Sequence, residues 1–134
     1  MIFVGREHKH KDDCWCDALS LALGKPYDDI YNALSLFEKD DGMAYDISRG
    51  ILLDAGYIVK NMESEQISVG FLLDIINHYD NEVVVSTNKH IFYVHKNKIH
   101  DLKELKYSEE FMSDLVYNVF LRNLNFKWTK ENIK

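Results

Sequence analysis

An α+β fold is predicted, on three features of the chain. Apolar residues recur at intervals of three and four through the first half, short β-branched runs crowd the second half, and helices precede strands rather than alternating with them. One proline and six glycines in 134 residues leave no linker or low-complexity arm, so a single domain over residues 1–134 is expected. A chain of this length buries about two-thirds of the surface its unfolded form exposes.

The first helix is expected to start at Cys14, with Asp13 as N-cap, and to run through "CWCDALSLALGK" to Gly24. Its buried stripe would be Trp15, Ala18, Leu19 and Ala22. Pro26 opens a second helix with Tyr27, Ile30, Tyr31, Leu34 and Phe37 on one side. "GMAYDISRGILLDAGY" predicts a third, with Ala44, Ile47, Ile51 and Ala55 inward and Gly56 at its end. A short strand, "YIVK", follows. "ISVGFLLDIINHYD" predicts a fourth helix with Phe71, Leu72, Ile75, Ile76 and Tyr79 inward.

Three β-like pieces come next: "EVVVST", "HIFYVHK" and "KIHDLK". The last two flank a hairpin-like "KNK", so the sheet is expected to be antiparallel. In the tail, Phe111, Met112, Leu115, Val116 and Val119 fit a helix, while "LVYNVFL" fits a strand equally well.

A net charge of -6, from 22 acidic and 16 basic residues, argues against nucleic acid, whose binding needs clustered cations. "MIFV" runs at once into Gly5, Arg6 and Glu7, too short for a signal or membrane segment. A cytoplasmic protein with no membrane partner and both cysteines as thiols is expected.

Those two cysteines lie in "EHKHKDDCWCDA". His8, His10, Cys14 and Cys16 have the donor chemistry of a tetrahedral zinc site. Against it, one residue separates the cysteines, and on a helix turning about 100° per residue their side chains point about 200° apart. A redox pair meets the same objection. A reactive thiol fits better, because a helix N-terminus favours a thiolate at Cys14. Asp12, Asp13 and Asp17 oppose that second negative charge, so the thiol needs a cation. His90 shares a strand face with Phe92 and Val94, and His95 the opposite face with Ile91 and Tyr93. Asp101, in the adjoining strand, is positioned to orient an imidazole across the hairpin.

"DDCWCDALSLALGKPYDDIYNAL" resembles the opening of small papain-like cysteine peptidase domains, related to bacteriocin-processing peptidases and common in bacteriophage genomes. "SVGFLLDIINHYDNEVVV" and "VSTNKHIFYVHKNKIHDL" resemble the later segments of the same family, in the same order, so that residues 12 to about 103 are covered. The resemblance implies a papain-like fold, with N-terminal helices packed on a small antiparallel sheet. It also implies Cys14 as nucleophile, His90 as general base, Asp101 as orienting residue, no cofactor, and a protein or peptide substrate that is cleaved or deamidated. Where the family has Asn before its Asp-Cys pair this chain has Asp12, which as a carboxylate donates nothing to an oxyanion. His8 is the other oxyanion candidate. The alternative is an inactive papain-like protein, phage-encoded, that binds and inhibits a host protein through the aromatic and acidic stretch "YDDIYNALSLFEKDDGMAYD".

Overall fold

The computed structural model describes residues 2–7, 9–10, 13–35, 41–76, 82–88, 90–102, 105 and 108–122, with the side chains of 41–45 left out. The α+β class holds. In chain order the elements are β1 (Ile2–Arg6), α1 (Cys14–Leu23), α2 (Tyr27–Ser35), α3 (Asp41–Asp54), β2 (Ile58–Asn61), α4 (Val69–Ile76), β3 (Val83–Thr87), β4 (Ile91–His95), β5 (Lys98–Leu102), α5 (Glu109–Ser113) and β6 (Val116–Leu121). Among the described residues no helix is long and apolar enough to cross a membrane.

The strands form one sheet in the order β1-β5-β4-β3-β6-β2. The expected antiparallel pairing of β3, β4 and β5 is present, but the sheet as a whole is mixed, because β1 pairs parallel with β5. β6, from the ambiguous tail, lies between β3 and β2 and is antiparallel to both. The strand reading of the tail holds for Val116–Leu121, and the helix reading holds only for Phe111 and Met112, because α5 ends at Ser113 and Val116 and Val119 lie in β6.

Helices cover both faces of the sheet. On one, Cys16, Leu19 and Ala22 of α1 pack with Tyr27, Ile30 and Leu34 of α2, Leu52 of α3, and Val84, Ile91, Tyr93 and Phe120 of the strands. On the other, Val69, Leu72, Leu73 and Ile76 of α4 and Phe111 of α5 meet Val83, Val85, Phe92, Val94, Val119 and Leu121. A central strand covered on both sides reads as a continuous apolar run, which is why "VVVST" is buried throughout.

Several inward faces are rotated from expectation. In α1 Cys16 joins Ala18, Leu19 and Ala22 inside, and Trp15 is only half-buried. Among the described side chains of α3 the fully buried ones are Ser48 and Leu52, with Ile47 and Ile51, and Ala55 just past the helix, packed at the margin. In α4 Val69, Leu72, Leu73 and Ile76 point in, and Phe71 is 42% exposed. Tyr31 is half-buried rather than inside, and Phe37, Ala44 and Tyr79 lie outside the described side chains.

Turn chemistry sets the helix ends. Gly24 (φ 65) and Gly56 (φ 96) take left-handed conformations after α1 and α3. Lys25 N–H then donates to the Ser20 carbonyl and Tyr57 N–H to that of Leu52, which closes each last turn. Lys96 and Asn97, at φ 51 and 64, make the two-residue turn between β4 and β5 that the "KNK" link suggested.

Candidate active site

His90 immediately precedes β4, and Asp101 lies near the end of β5. The antiparallel register pairs Tyr93 with His100. One step further along, Phe92 lies across from Asp101, and His90 is Asp101's diagonal neighbour on the same face. The imidazole Nε2 lies 2.7 Å from both carboxylate oxygens. Asp101 is 2% exposed, and Leu102 N–H also donates to its Oδ1. Thr87 N–H donates to the His90 carbonyl, so the β3–β4 turn pins the histidine backbone. Phe92 and Phe111 wall the ring, with centroids 6.2 and 6.3 Å away.

Cys14 arrives from the other side, on the first turn of α1. It is half-buried and lies near enough to the His90 ring to be one of the groups that raise the imidazole's pKa. With Nε2 committed to the carboxylate, Nδ1 is the ring nitrogen left for the thiol. Burial disfavours the imidazolium. The hydrogen bonds and charges of Asp101 and Cys14 outweigh that, and the His90 pKa rises to about 9. The sulfur, the ring and the carboxylate named from sequence are therefore contiguous. Cys16 is 7% exposed among apolar neighbours.

Asp13 caps α1 by position only. The expected N-cap position holds, with α1 starting at Cys14, but the side chain makes no capping hydrogen bond. It serves other donors instead. Arg6 approaches with both Nη atoms (3.1 and 3.0 Å), Tyr27 O–H donates at 2.7 Å, and the N–H groups of Lys9 and His10 donate at 3.1 and 3.3 Å. Burial pushes this carboxyl up, but Arg6, Tyr27 and Lys9 more than reverse it and hold it well below the ordinary carboxylate range. Arg6 Nε also pairs with Asp17 at 2.8 Å. The burial of Asp17 outweighs the pull of Arg6, so its pKa is raised.

The remaining candidates separate. His10 stacks on Tyr31, with centroids 3.8 Å apart, and its Nδ1 lies 3.2 Å from Tyr27 Oη. Cys16 is buried among core residues. Among the described residues no three His, Cys, Asp or Glu side chains converge as a metal site. His8 and Asp12, both oxyanion candidates, lie outside the described residues. His95 packs edge-on against Tyr93. Of the stretch suggested as a binding surface, Tyr27, Ile30 and Leu34 are core residues. Sequence reasoning passed over Arg6, Tyr27 and Phe111. Arg6 offered only a lone cation in an unassigned segment, and Phe111 sat in a tail with two competing readings.

No family model, curated protein or solved structure matches the chain.

Proposed function

We propose that this chain is a cysteine-dependent acyl-transfer enzyme of papain-like architecture, working in a reducing cytoplasm on a peptide bond or side-chain amide of a protein substrate. The observation that carries the reading is the contact of Cys14 with an imidazole whose far nitrogen is held by a buried carboxylate. Three independent elements supply those groups, and a histidine used merely as packing needs neither a thiol nor a buried anion beside it.

His90 takes the thiol proton, and the Cys14 sulfur attacks the carbonyl carbon to form the C–S bond. Cys14 N–H stands at the first helical position, where α1 itself provides no acceptor, and it stabilises the oxyanion. His90 then protonates the leaving nitrogen as the C–N bond breaks. Water, giving its proton back to His90, attacks the thioester carbon, and the C–S bond breaks to restore the thiol. Asp101 keeps the ring oriented and stabilises its charged form. Cleavage and deamidation differ only in whether the departing nitrogen belongs to a peptide or to ammonia.

Alkylation by iodoacetamide at neutral pH tests the premise. Cys14 is expected to react at least about tenfold faster than Cys16, since thiolate character and access both favour it. His90→Ala is expected to remove most of that advantage. Slow, equal labelling of both cysteines would leave a binding role as the better account.

A further inference from the structure

The polar cluster behind Cys14 is more elaborate than anchoring one helix requires. Arg6 spans two carboxylates on successive turns of α1, Asp13 through its Nη atoms and Asp17 through Nε. These carboxylates flank the nucleophile, one residue before it and three after. Two anions beside a sulfur oppose its ionisation, and a guanidinium set between them cancels much of that opposition. The same side chain rises from β1, whose parallel register sets Gly5 opposite Asp101 and Arg6 opposite Leu102. One residue therefore fastens the first turn of α1 to the strand pair that carries the orienting carboxylate.

We propose that Arg6 is a positioning residue of the site: it holds α1 so that Cys14 meets His90, and it offsets the charge of Asp13 and Asp17 beside the thiol. This rests on the acyl-transfer reading. Other charged groups also act on the cluster. Asp101 of β5 adds negative charge at Asp17, and His100, also on β5, interacts with Asp17. Lys9 stands over the Tyr27 ring, 4.6 Å from its centroid. Of these, Arg6 alone is in contact with both flanking carboxylates.

The test follows iodoacetamide labelling of Cys14 and Cys16 by mass spectrometry between pH 5 and pH 10, on the full chain, with folding checked by circular dichroism. Arg6→Gln is expected to move the midpoint of the Cys14 profile upward by about one pH unit and to slow neutral labelling about tenfold, while Cys16 stays unchanged. Arg6→Lys keeps the charge but not the fork, and should recover part of the shift. Asp17→Asn should speed labelling on its own and partly rescue Arg6→Gln. An unmoved Cys14 profile in a folded Arg6→Gln protein overturns the proposal. Should Arg6→Gln fail to fold, Asp17→Asn decides, and an unmoved profile there overturns it. His90→Ala serves as the separate control. If it leaves Cys14 labelling unchanged, the acyl-transfer reading itself falls; if it slows labelling while the Arg6 and Asp17 variants do nothing, only the positioning role falls.

Discussion

The two ends of α1 are built from similar parts and do different things with them. At its C-terminal end Tyr57 O–H and Arg122 Nη1 both donate to the Ala22 carbonyl, Arg122 pairs with Glu82 at 3.4 Å, and Tyr93 O–H donates to Glu82. A cation and donors at the negative end of a helix satisfy carbonyls that have no partner within it, and this cluster goes no further. At the N-terminal end an arginine, two carboxylates and a tyrosine again pair among themselves, but beside them stand a thiol and an imidazole. Packing and capping account for the first cluster. They leave over, in the second, the Arg6 bridge between Asp13 and Asp17 and the Cys14–His90–Asp101 line.

The sharpest way to break the comparison is to delete one carboxylate at each end. Asp13 is sealed from solvent and accepts from Arg6, the Tyr27 hydroxyl and two backbone N–H groups, so Asp13→Ala strips several donors of their acceptor at once, although Arg6 keeps Asp17, and should cost about 3–5 kcal/mol of unfolding free energy. Glu82 and Arg122 are much more exposed, so Glu82→Gln should cost less than about 1 kcal/mol. Urea titrations of both variants measure the difference. Equal costs would mean that the two clusters are the same kind of feature.

Next in size is the pH dependence of His90. Its folded pKa is raised to about 9 from an ordinary value near 6.5. A raised pKa means that the folded protein binds this proton more tightly than the unfolded chain does. The contribution is complete below the unfolded value and disappears as pH climbs through about 9. The stability gap between the parent and His90→Gln should therefore narrow by about 2–3 kcal/mol from pH 6 to pH 10. A gap that widens with pH would mean a neutral ring in the folded state and no ion pair with Asp101.

The candidate residues were nearer to hand in the sequence than the frame around them. A helix start, a strand face and a hairpin register are local patterns that put Cys14, His90 and Asp101 among the candidates, with His95 beside them, and the resemblance alone singled out the three that the fold brings near one another. β1 was not legible. Its five residues are an edge strand whose partner, β5, lies more than ninety positions later, and no local period marks a parallel pairing. The inward face of α4 was misjudged because apolar residues surround that helix. Phe71 is as hydrophobic as Leu72, and only the position of β3 and α5 decides which one turns inward. Arg6 escaped for a related reason. A single arginine acquires meaning only when folding brings Asp13 and Asp17 around it.

A smaller effect is expected at the C-terminal end of α1. Tyr57→Phe removes one buried hydrogen bond to the Ala22 carbonyl, but Arg122 remains as a donor to the same oxygen. The expected loss is about 1 kcal/mol, seen in urea unfolding, with Cys14 labelling unaffected. A change in labelling would mean that the two helix ends are coupled.

The smallest change tests independence from farther away. The turn joining β4 to β5 sits at the opposite end of β4 from His90, and Asn97 holds a left-handed conformation there that glycine adopts without steric cost. Type I′ turns favour glycine at this second position. Asn97→Gly should leave stability unchanged or raise it by about 0.5 kcal/mol, because relief of backbone strain outweighs the greater freedom of the unfolded chain only slightly. The Cys14 profile should not move, since Asp101 and His90 are placed by the ladder itself and by the Thr87–His90 turn. If labelling shifts while stability holds, the register of β4 on β5 is set at the hairpin, and the alignment of His90 with Asp101 depends on a turn at the far end of the strand.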